Sequence, residues 1–333
     1  MLEYIYICRH GFRSNWVDPS IKTGPTGMNR DPPLAVHGLE QAKHLADFLA
    51  SHDSTQPYPR PEIIFSSPFY RCIQTALSSA EALGLILEEP QDGKKSKKGI
   101  HLEHGLGEWY SPVRSGTGLH PRPAQPIKLI PLFPSGSINP SYTSTVYPSR
   151  KGETLKSLHE RAEIFVDAFI SRVEGEWPEV KCVVIFSHAA SLIAIGRALT
   201  GNRDLEVLAG CATTSLYKRK LLGSKFQFDY PSPPSSALLD SLPPCGTGQW
   251  AMVYSGRHDY LPSGFERDWS FADAVLDPNG EVIADNGDGD GHCEEEWEEG
   301  LAKGMEVWLR SVRQTGEEKI GVDGRDYPRE SRI

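Results

Sequence analysis

Five short apolar runs recur along the 333-residue chain and limit its possible folds more than any other feature. They lie at residues 2–8, 61–66, 180–187, 211–217 and 249–255. Runs of this length that are apolar almost throughout, as in "VKCVVIFS", are typical of strands that are buried on both faces. A sheet built from them needs a helical layer on each side.

Amphipathic segments between the runs can supply those layers. An apolar face repeats from Leu39 to Leu49, and a longer one repeats from Leu155 to Val173, each with the period of a helix. The alternation predicts an α/β fold, a three-layer sandwich in which helices cover both faces of a mainly parallel sheet. Ligands of such folds bind at the carboxyl ends of the strands.

Basic side chains stand where three of the runs end. The first run ends in "CRHGFR", which contains Arg9, His10 and Arg13, and the next two are followed by Arg71 and His188. We expect these five side chains to converge at one edge of the sheet. One guanidinium group can donate two parallel hydrogen bonds to two phosphate oxygens. The sequence therefore predicts a cavity for a dianionic phosphoryl group.

Charge and composition exclude several other classes of protein. The net charge is −9, and residues 277–333 carry all of it, with 16 acidic and 7 basic residues. The remaining body is neutral, so no direct binding to nucleic acid is expected. No stretch approaches eighteen apolar residues and no secretory leader is present, which predicts an intracellular protein of the nucleus, the cytoplasm or both, without a membrane span.

The six cysteines have no metal-binding or disulfide-framework spacing, and we expect reduced, mostly buried thiols. Nothing in the sequence calls for a cofactor or a metal. The acidic run 286–297 has the early ligand positions of a calcium loop, but its twelfth residue is Trp297, so an acidic turn is expected.

The chain is predicted to form one domain over residues 1–276, followed by an acidic tail. The domain contains a lid-like insertion at 111–150, a Pro/Ser-rich crossover at 229–248 and a segment at 249–276 that returns to cover the core. In the tail of residues 277–333, positions 294–313 have one apolar helical face, suited to docking or to packing on the body.

Residues 1–222 resemble the histidine phosphatase (phosphoglycerate mutase-like) superfamily. The motifs are "RHG" at 9–11, "SSPFYRCIQTA" at 66–76, "LGEWY" at 106–110 and "SHAAS" at 187–191, in the family's order. The resemblance implies that His10 accepts the phosphoryl group and that Arg9, Arg71 and His188 form the phosphate pocket. It also implies an acidic proton donor after the second motif, and no metal. The arginine at position 13, in "RHGFR", resembles the pattern of the phosphatase branches of the superfamily, and this favours a hydrolase over a mutase.

The chemistry of the residues agrees with that resemblance. His10 must be neutral to attack phosphorus, and nearby arginines would lower its pKa while neutralising the transition state. Glu108, beside Trp109, is the expected proton donor, and Glu103 is the alternative. The other predicted substrate contacts are aromatic. They are Phe12, Trp109 and Tyr110, with Trp16 beside them, although core packing would explain these rings equally well.

A closer resemblance extends over residues 1–276. "IYICRHGFRSNW", "GEWYSP" and "QWAMVYSGRHDYLPSGFERDWSF" are similar to the histidine-phosphatase domain of the tau subunit of fungal transcription factor TFIIIC and of its stand-alone paralogue. Two classes of function are therefore predicted. The first is a phosphomonoesterase acting on aryl phosphates or phosphotyrosyl peptides. The second is a phosphatase-fold interaction subunit of an RNA polymerase III transcription factor, and a small-metabolite phosphatase or mutase is a further alternative.

Overall fold

The structure is a computed structural model that describes residues 1–51, 57–88, 96–220, 246–274 and 300–301. Part of the predicted crossover, residues 229–245, lies outside these ranges, as do Cys245, Cys293, the acidic turn at 286–297 and the tail helix at 294–313. Cys8, Cys72, Cys182 and Cys211 are buried free thiols, as predicted. Among the helices that are described, none combines the length and apolarity that crossing a membrane requires.

A six-stranded sheet forms the centre of the fold. In spatial order its strands are β3 (His101–Leu102), β2 (Ile63–Ser66), β5 (Cys182–Ser187), β1 (Tyr4–Arg9), β6 (Thr214–Arg219) and β7 (Trp250–Arg257). The first four run parallel to one another. The five predicted runs therefore form the five longest of these strands, and β3 is a short addition.

The sheet is mainly parallel, as predicted, and two antiparallel pairings complete one of its edges. β6 pairs antiparallel with β1, and β7 pairs antiparallel with β6. The run at 211–217 begins too early, since residues 211–213 make a turn and the strand starts at Thr214. Apolar runs predict that a strand is buried, but they do not encode its direction.

Helices cover both faces of the sheet, which confirms the three-layer α/β prediction. The helices are α1 (Val36–Ala50), α2 (Tyr70–Ala82), the short α3 (Pro126–Leu129), α4 (Leu155–Glu176) and α5 (Ala189–Thr200). Alternate residues of β1 enter different cores: Ile5 and Ile7 pack with α4 and α5, whereas Tyr6 and Cys8 pack with α1 and α2. The run is almost entirely apolar because each of its sides faces a helical layer.

The predicted insertion at 111–150 is mostly irregular. It contains α3 and the two-residue strand β4 (Val146–Tyr147), which pairs with β8 (Gly300–Leu301). The segment predicted to return to the core supplies β7, and its Trp250 is completely buried. This segment therefore contributes an edge strand and core side chains to the same sheet.

Candidate active site

The carboxyl ends of β1, β2 and β5 meet at one edge of the sheet, and the five basic residues predicted there lie together. The amide of His10 donates to the carbonyl of Ser187 at the end of β5, over 3.1 Å. His188 follows directly, as the residue that precedes α5. Arg71 is the second residue of α2. Both helices begin at this edge, where their positive dipole ends favour an anion.

The ring of His10 is held in the form that a nucleophile needs. Its Nδ1 lies 2.8 Å from the carbonyl oxygen of Gly11. A carbonyl only accepts, so Nδ1 carries the proton and Nε2 keeps its lone pair. Burial, followed by the charges of Arg71 and Arg9, lowers the pKa of His10 well below its ordinary value. The predicted direction is thus confirmed, although burial rather than the arginines is the largest cause.

Arg71 is completely buried and is the centre of the cluster. Its Nη1 donates to Oδ1 of Asp31 over 3.1 Å. Its Nη2 lies 3.2 Å from Oε2 of Glu108 and 3.0 Å from Nδ1 of His188. These contacts use the two terminal nitrogens of the guanidinium group and fix its plane.

The imidazole of His188 is held from both sides. Because Arg71 can only donate, Nδ1 of His188 is the acceptor, and its Nε2 then donates to Oγ of Ser67 over 2.8 Å. Burial and the Arg71 charge lower the pKa of His188 well below its usual value. Its ring centre lies 5.4 Å from that of His10.

Two further arginines complete the cationic wall. Nη1 of Arg9 donates to the carbonyls of Ala209 and Arg267. The guanidinium of Arg13 lies 4.2 Å from the centre of the Trp16 ring. Desolvation, with repulsion from Arg71, lowers the pKa of Arg13 to about 10.

One feature is shared by all three pocket arginines. The Nε atoms of Arg9, Arg13 and Arg71 are buried, and none has a hydrogen-bond partner among the residues the structure describes. A buried donor that stays unpaired costs about 1–3 kcal/mol. Three such donors around one histidine fit an anion with several acceptor oxygens.

The two candidate proton donors occupy different environments. Glu108 is partly exposed and contacts Arg71 and, over 3.4 Å, Nδ1 of His188. Glu103 is completely buried, and its carboxylate accepts from a ring of four donors. These donors are the amides of Gly105, Thr145 and Val146 and the hydroxyl of Tyr142. Burial raises the pKa of Glu103, while these donors oppose the rise. Its contacts are those of a residue that fixes a loop.

The predicted aromatic contacts separate into two places. Tyr110 lines a cleft with Glu108, Phe69 and residues of the insertion. The Phe12 ring packs edge-on against Trp16, with 5.0 Å between ring centres.

The indole of Trp109 turns away from the cluster. It donates to the carbonyl of Glu153 over 2.8 Å and packs against Trp269 and Phe271. Core packing therefore explains Trp109, because the returning segment supplies rings that no local pattern placed beside it.

Several residues that position the basic cluster are not indicated by the sequence. Asp31 is buried and orients Arg71, yet it lies forty residues away along the chain. Thr75 accepts from the amide of Gly11 over 3.1 Å. A Cβ atom on Gly38 would lie 2.2 Å from the carbonyl oxygen of Phe12, so only glycine lets α1 approach this loop so closely. None of these positions has a sequence signal apart from its residue type.

A metal ion fits this cluster poorly. Ligand atoms of His10, Glu108 and His188 lie within 4.8 Å of one another, which is close enough to share a cation. Three arginines surround the same point, however, and Nδ1 of His188 already accepts from Arg71. The resulting positive field favours an anion.

Comparison with known proteins agrees with this geometry. Residues 5–92, which contain Arg9, His10, Arg13 and Arg71, match the model of the histidine phosphatase superfamily (branch 1). The resemblance inferred from the sequence motifs is thus confirmed.

Two curated relatives make the comparison more specific. The chain is 37% identical over 282 residues to the transcription factor tau 55 kDa subunit of Saccharomyces cerevisiae, an alignment that covers 81% of this chain and 59% of that protein. It is 25% identical over 225 residues to the ecdysteroid-phosphate phosphatase of Drosophila melanogaster, covering 60% of this chain and 27% of that protein. The chain thus spans about three fifths or less of the length of these relatives.

Solved structures give a more distant similarity. The ecdysone phosphate phosphatase of Bombyx mori superposes with a TM-score of 0.46 and 17% identity, covering 68% of this chain and 98% of that one. A mycobacterial glucosyl-3-phosphoglycerate phosphatase superposes with a TM-score of 0.43 and 15% identity, covering 77% of this chain and all of the other.

Proposed function

We propose that the protein is a metal-independent phosphomonoesterase that works through a phosphohistidine at His10. The observation that carries the proposal is the set of three buried, unpaired Nε donors on Arg9, Arg13 and Arg71, in the part of the chain that the structure describes. A phosphoryl group offers three equatorial oxygens to such donors, and the guanidinium groups supply the positive charge that a metal supplies in other phosphatases.

In the first step, the lone pair on Nε2 of His10 attacks phosphorus and the bond to the leaving oxygen breaks. Nδ1 keeps its proton and remains hydrogen-bonded to the carbonyl of Gly11, which stabilises the positive charge that the ring acquires. Arg71, oriented by Asp31, faces the transferring group together with Arg9. The carboxyl group of Glu108 gives a proton to the leaving oxygen.

In the second step, water attacks phosphorus and the bond between phosphorus and nitrogen breaks. Glu108, now a carboxylate, takes the proton of that water, and inorganic phosphate leaves. His188 acts in both steps as a positioning residue, because it holds Nη2 of Arg71 at the place where that nitrogen reaches Glu108.

The cleft beside Glu108 supports an aryl leaving group. It is lined by the rings of Phe69 and Tyr110 and by Pro68, Pro121, Pro123 and Pro148. Rings and prolines of this kind form an apolar wall against which an aromatic leaving group can pack. Phosphotyrosyl peptides and other aryl phosphates are therefore the proposed substrates.

The direct test is hydrolysis of para-nitrophenyl phosphate by the purified chain, with and without EDTA. Turnover should survive chelation and should be inhibited by vanadate, which mimics pentacoordinate phosphorus. His10→Ala should abolish both turnover and the acid-labile phosphoprotein formed from a radiolabelled substrate. His44→Ala is the matched control, because this histidine lies on α1 outside the cluster. Activity that disappears with EDTA, or that survives in His10→Ala, would refute the mechanism.

The identity of 37% to a transcription factor subunit favours a second role, association with such a complex. It also supports a location in the nucleus. The test is affinity purification of the full chain from its own cells, followed by mass spectrometry. Recovery of other subunits of that factor with both the wild type and His10→Ala would support an assembly role that does not require turnover. A chain that sediments alone in both cases would argue against it.

A further inference from the structure

A short segment in the returning part of the chain, residues 266–268, bonds to Arg9 and to the residues that precede β6. The carbonyl of Glu266 accepts from the amide of Cys211 over 2.9 Å, and the carbonyl of Arg267 accepts from Nη1 of Arg9. Oδ1 of Asp268 accepts from the amide of Ala209 over 2.9 Å. Three consecutive residues are thus tied to the site or to the turn behind it.

These bonds anchor the backbone at Arg267, and its side chain lies beside two aromatic rings. Its guanidinium carbon lies 5.2 Å from the centre of the Trp16 ring and 5.3 Å from that of Phe12. The same Trp16 ring meets Arg13 at 4.2 Å and lies 6.2 Å from the ring of His10. Arg267 and the nucleophile His10 therefore both lie close to the ring of Trp16.

Arg267 differs from the pocket arginines in its exposure and in its partners. It is exposed, and no carboxylate lies within ion-pair distance of it in the ranges described. Its two acidic neighbours along the chain are occupied elsewhere: Glu266 contacts His37 and Gln41, and Asp268 accepts from Ala209. The backbone of Arg267 has a φ of 52°, in the left-handed region that a residue with a side chain seldom adopts.

We propose that Arg267 binds a second anionic group of the substrate, a carboxylate or a second phosphate carried beside the phosphoryl group. The inference rests on the proposed function and narrows its substrate class. A guanidinium group that packs against aromatic rings keeps its N–H groups available at the edge. Two of these N–H groups can donate parallel hydrogen bonds to the two oxygens of a carboxylate or phosphate. The phosphoryl group itself is left to Arg9, Arg13 and Arg71, whose buried Nε donors have no hydrogen-bond partner among the described residues.

The test measures binding with probes that do not react. Benzylphosphonate carries one anionic group, 4-carboxybenzylphosphonate adds a carboxylate, and para-xylylene bisphosphonate adds a second phosphonate. Calorimetric titration gives the ratio of each doubly anionic affinity to that of benzylphosphonate. For the wild type we expect a ratio of about 3 to 5 at low ionic strength, falling toward 1 in 0.5 M salt, because the contact is exposed.

Arg267→Gln should bring the ratio close to 1, and Arg267→Lys should keep part of it. Lys218→Gln is the matched control, since it removes one positive charge at the opposite end of the sheet, where Lys218 pairs with Tyr4. The probe with the higher ratio identifies whether the second group is a carboxylate or a phosphate.

A wild-type ratio of 1 for both probes overturns the proposal, and so does a ratio that is unchanged in Arg267→Gln. Hydrolysis of phenyl phosphate is measured on the same proteins. If that hydrolysis is present and the ratio is 1, only the role of Arg267 fails. If the ratio responds as expected but no phosphate ester is hydrolysed, the proposed function fails and the binding site remains.

Discussion

Exchanging a carboxyl group for an amide at Glu103 or at Glu108 should damage the protein in two different ways. At Glu103 the amide keeps one acceptor oxygen, and its NH₂ group then faces two of the four donors. The least costly orientation turns the hydroxyl of Tyr142 toward Oγ of Thr145, 3.3 Å away, and leaves the Thr145 amide unpaired. One buried unpaired amide costs about 1–3 kcal/mol. For a domain of this size, that is a fall in Tm of about 2–12 °C.

Glu108→Gln should leave the Tm nearly unchanged and should affect the chemistry. Glu108 is partly exposed, and Arg71 keeps its buried partner Asp31. General acid catalysis contributes about 10² to 10⁴ in rate, so kcat/KM for glycerol phosphate should fall by about that factor. Para-nitrophenolate leaves without a proton, so the variant should still release about one equivalent of it in a burst before slow turnover.

The assay pairs a thermal melt with both substrates for each variant. Equal losses of kcat/KM on the two substrates in Glu108→Gln would refute its role as the acid. An inactive Glu103→Gln with the Tm of the wild type would reverse the assignment.

Three other perturbations test the electrostatics and the packing. Arg13→Gln removes a positive charge that lowers the pKa of His10, so the acid limb of the pH profile of kcat/KM should move to higher pH; a limb that stays in place would show that Arg13 does not act on the nucleophile. Trp250→Ala should lower the free energy of unfolding by about 3–5 kcal/mol in a denaturant titration, because this side chain is completely buried. Val253→Ala, at an exposed position of the same strand, should change it by less than about 1 kcal/mol, and equal effects would argue that β7 is not a core strand. Gly38→Ala should lower kcat/KM by about 100-fold, because its methyl group would push the loop after His10 by about 1 Å, and wild-type activity would contradict that close approach.

The sequence by itself determined the five longest strands, the layers and the identity of the basic cluster. Strands that are buried on both faces are almost entirely apolar, as β1 and β5 are up to their last residue, so the sequence alone indicates their positions. The carboxyl ends of parallel strands share one edge of the sheet, so Arg9, Arg71 and His188 could be placed together before any distance was known.

Only the tertiary structure decided how that cluster is held and which residues surround it. Asp31 contacts Arg71, which is forty residues away along the chain, and Trp109 packs on Trp269 and Phe271. The carbonyl of Arg267 accepts from Arg9, which precedes it by more than 250 residues. Local propensity and periodicity depend on neighbours within a few residues, so they cannot specify contacts of this range. The same reason explains Glu103 and Glu108, which are only five residues apart along the chain. Three of the four donors around the Glu103 carboxylate, and the arginine that contacts Glu108, come from distant parts of the chain, and only folding brings them there.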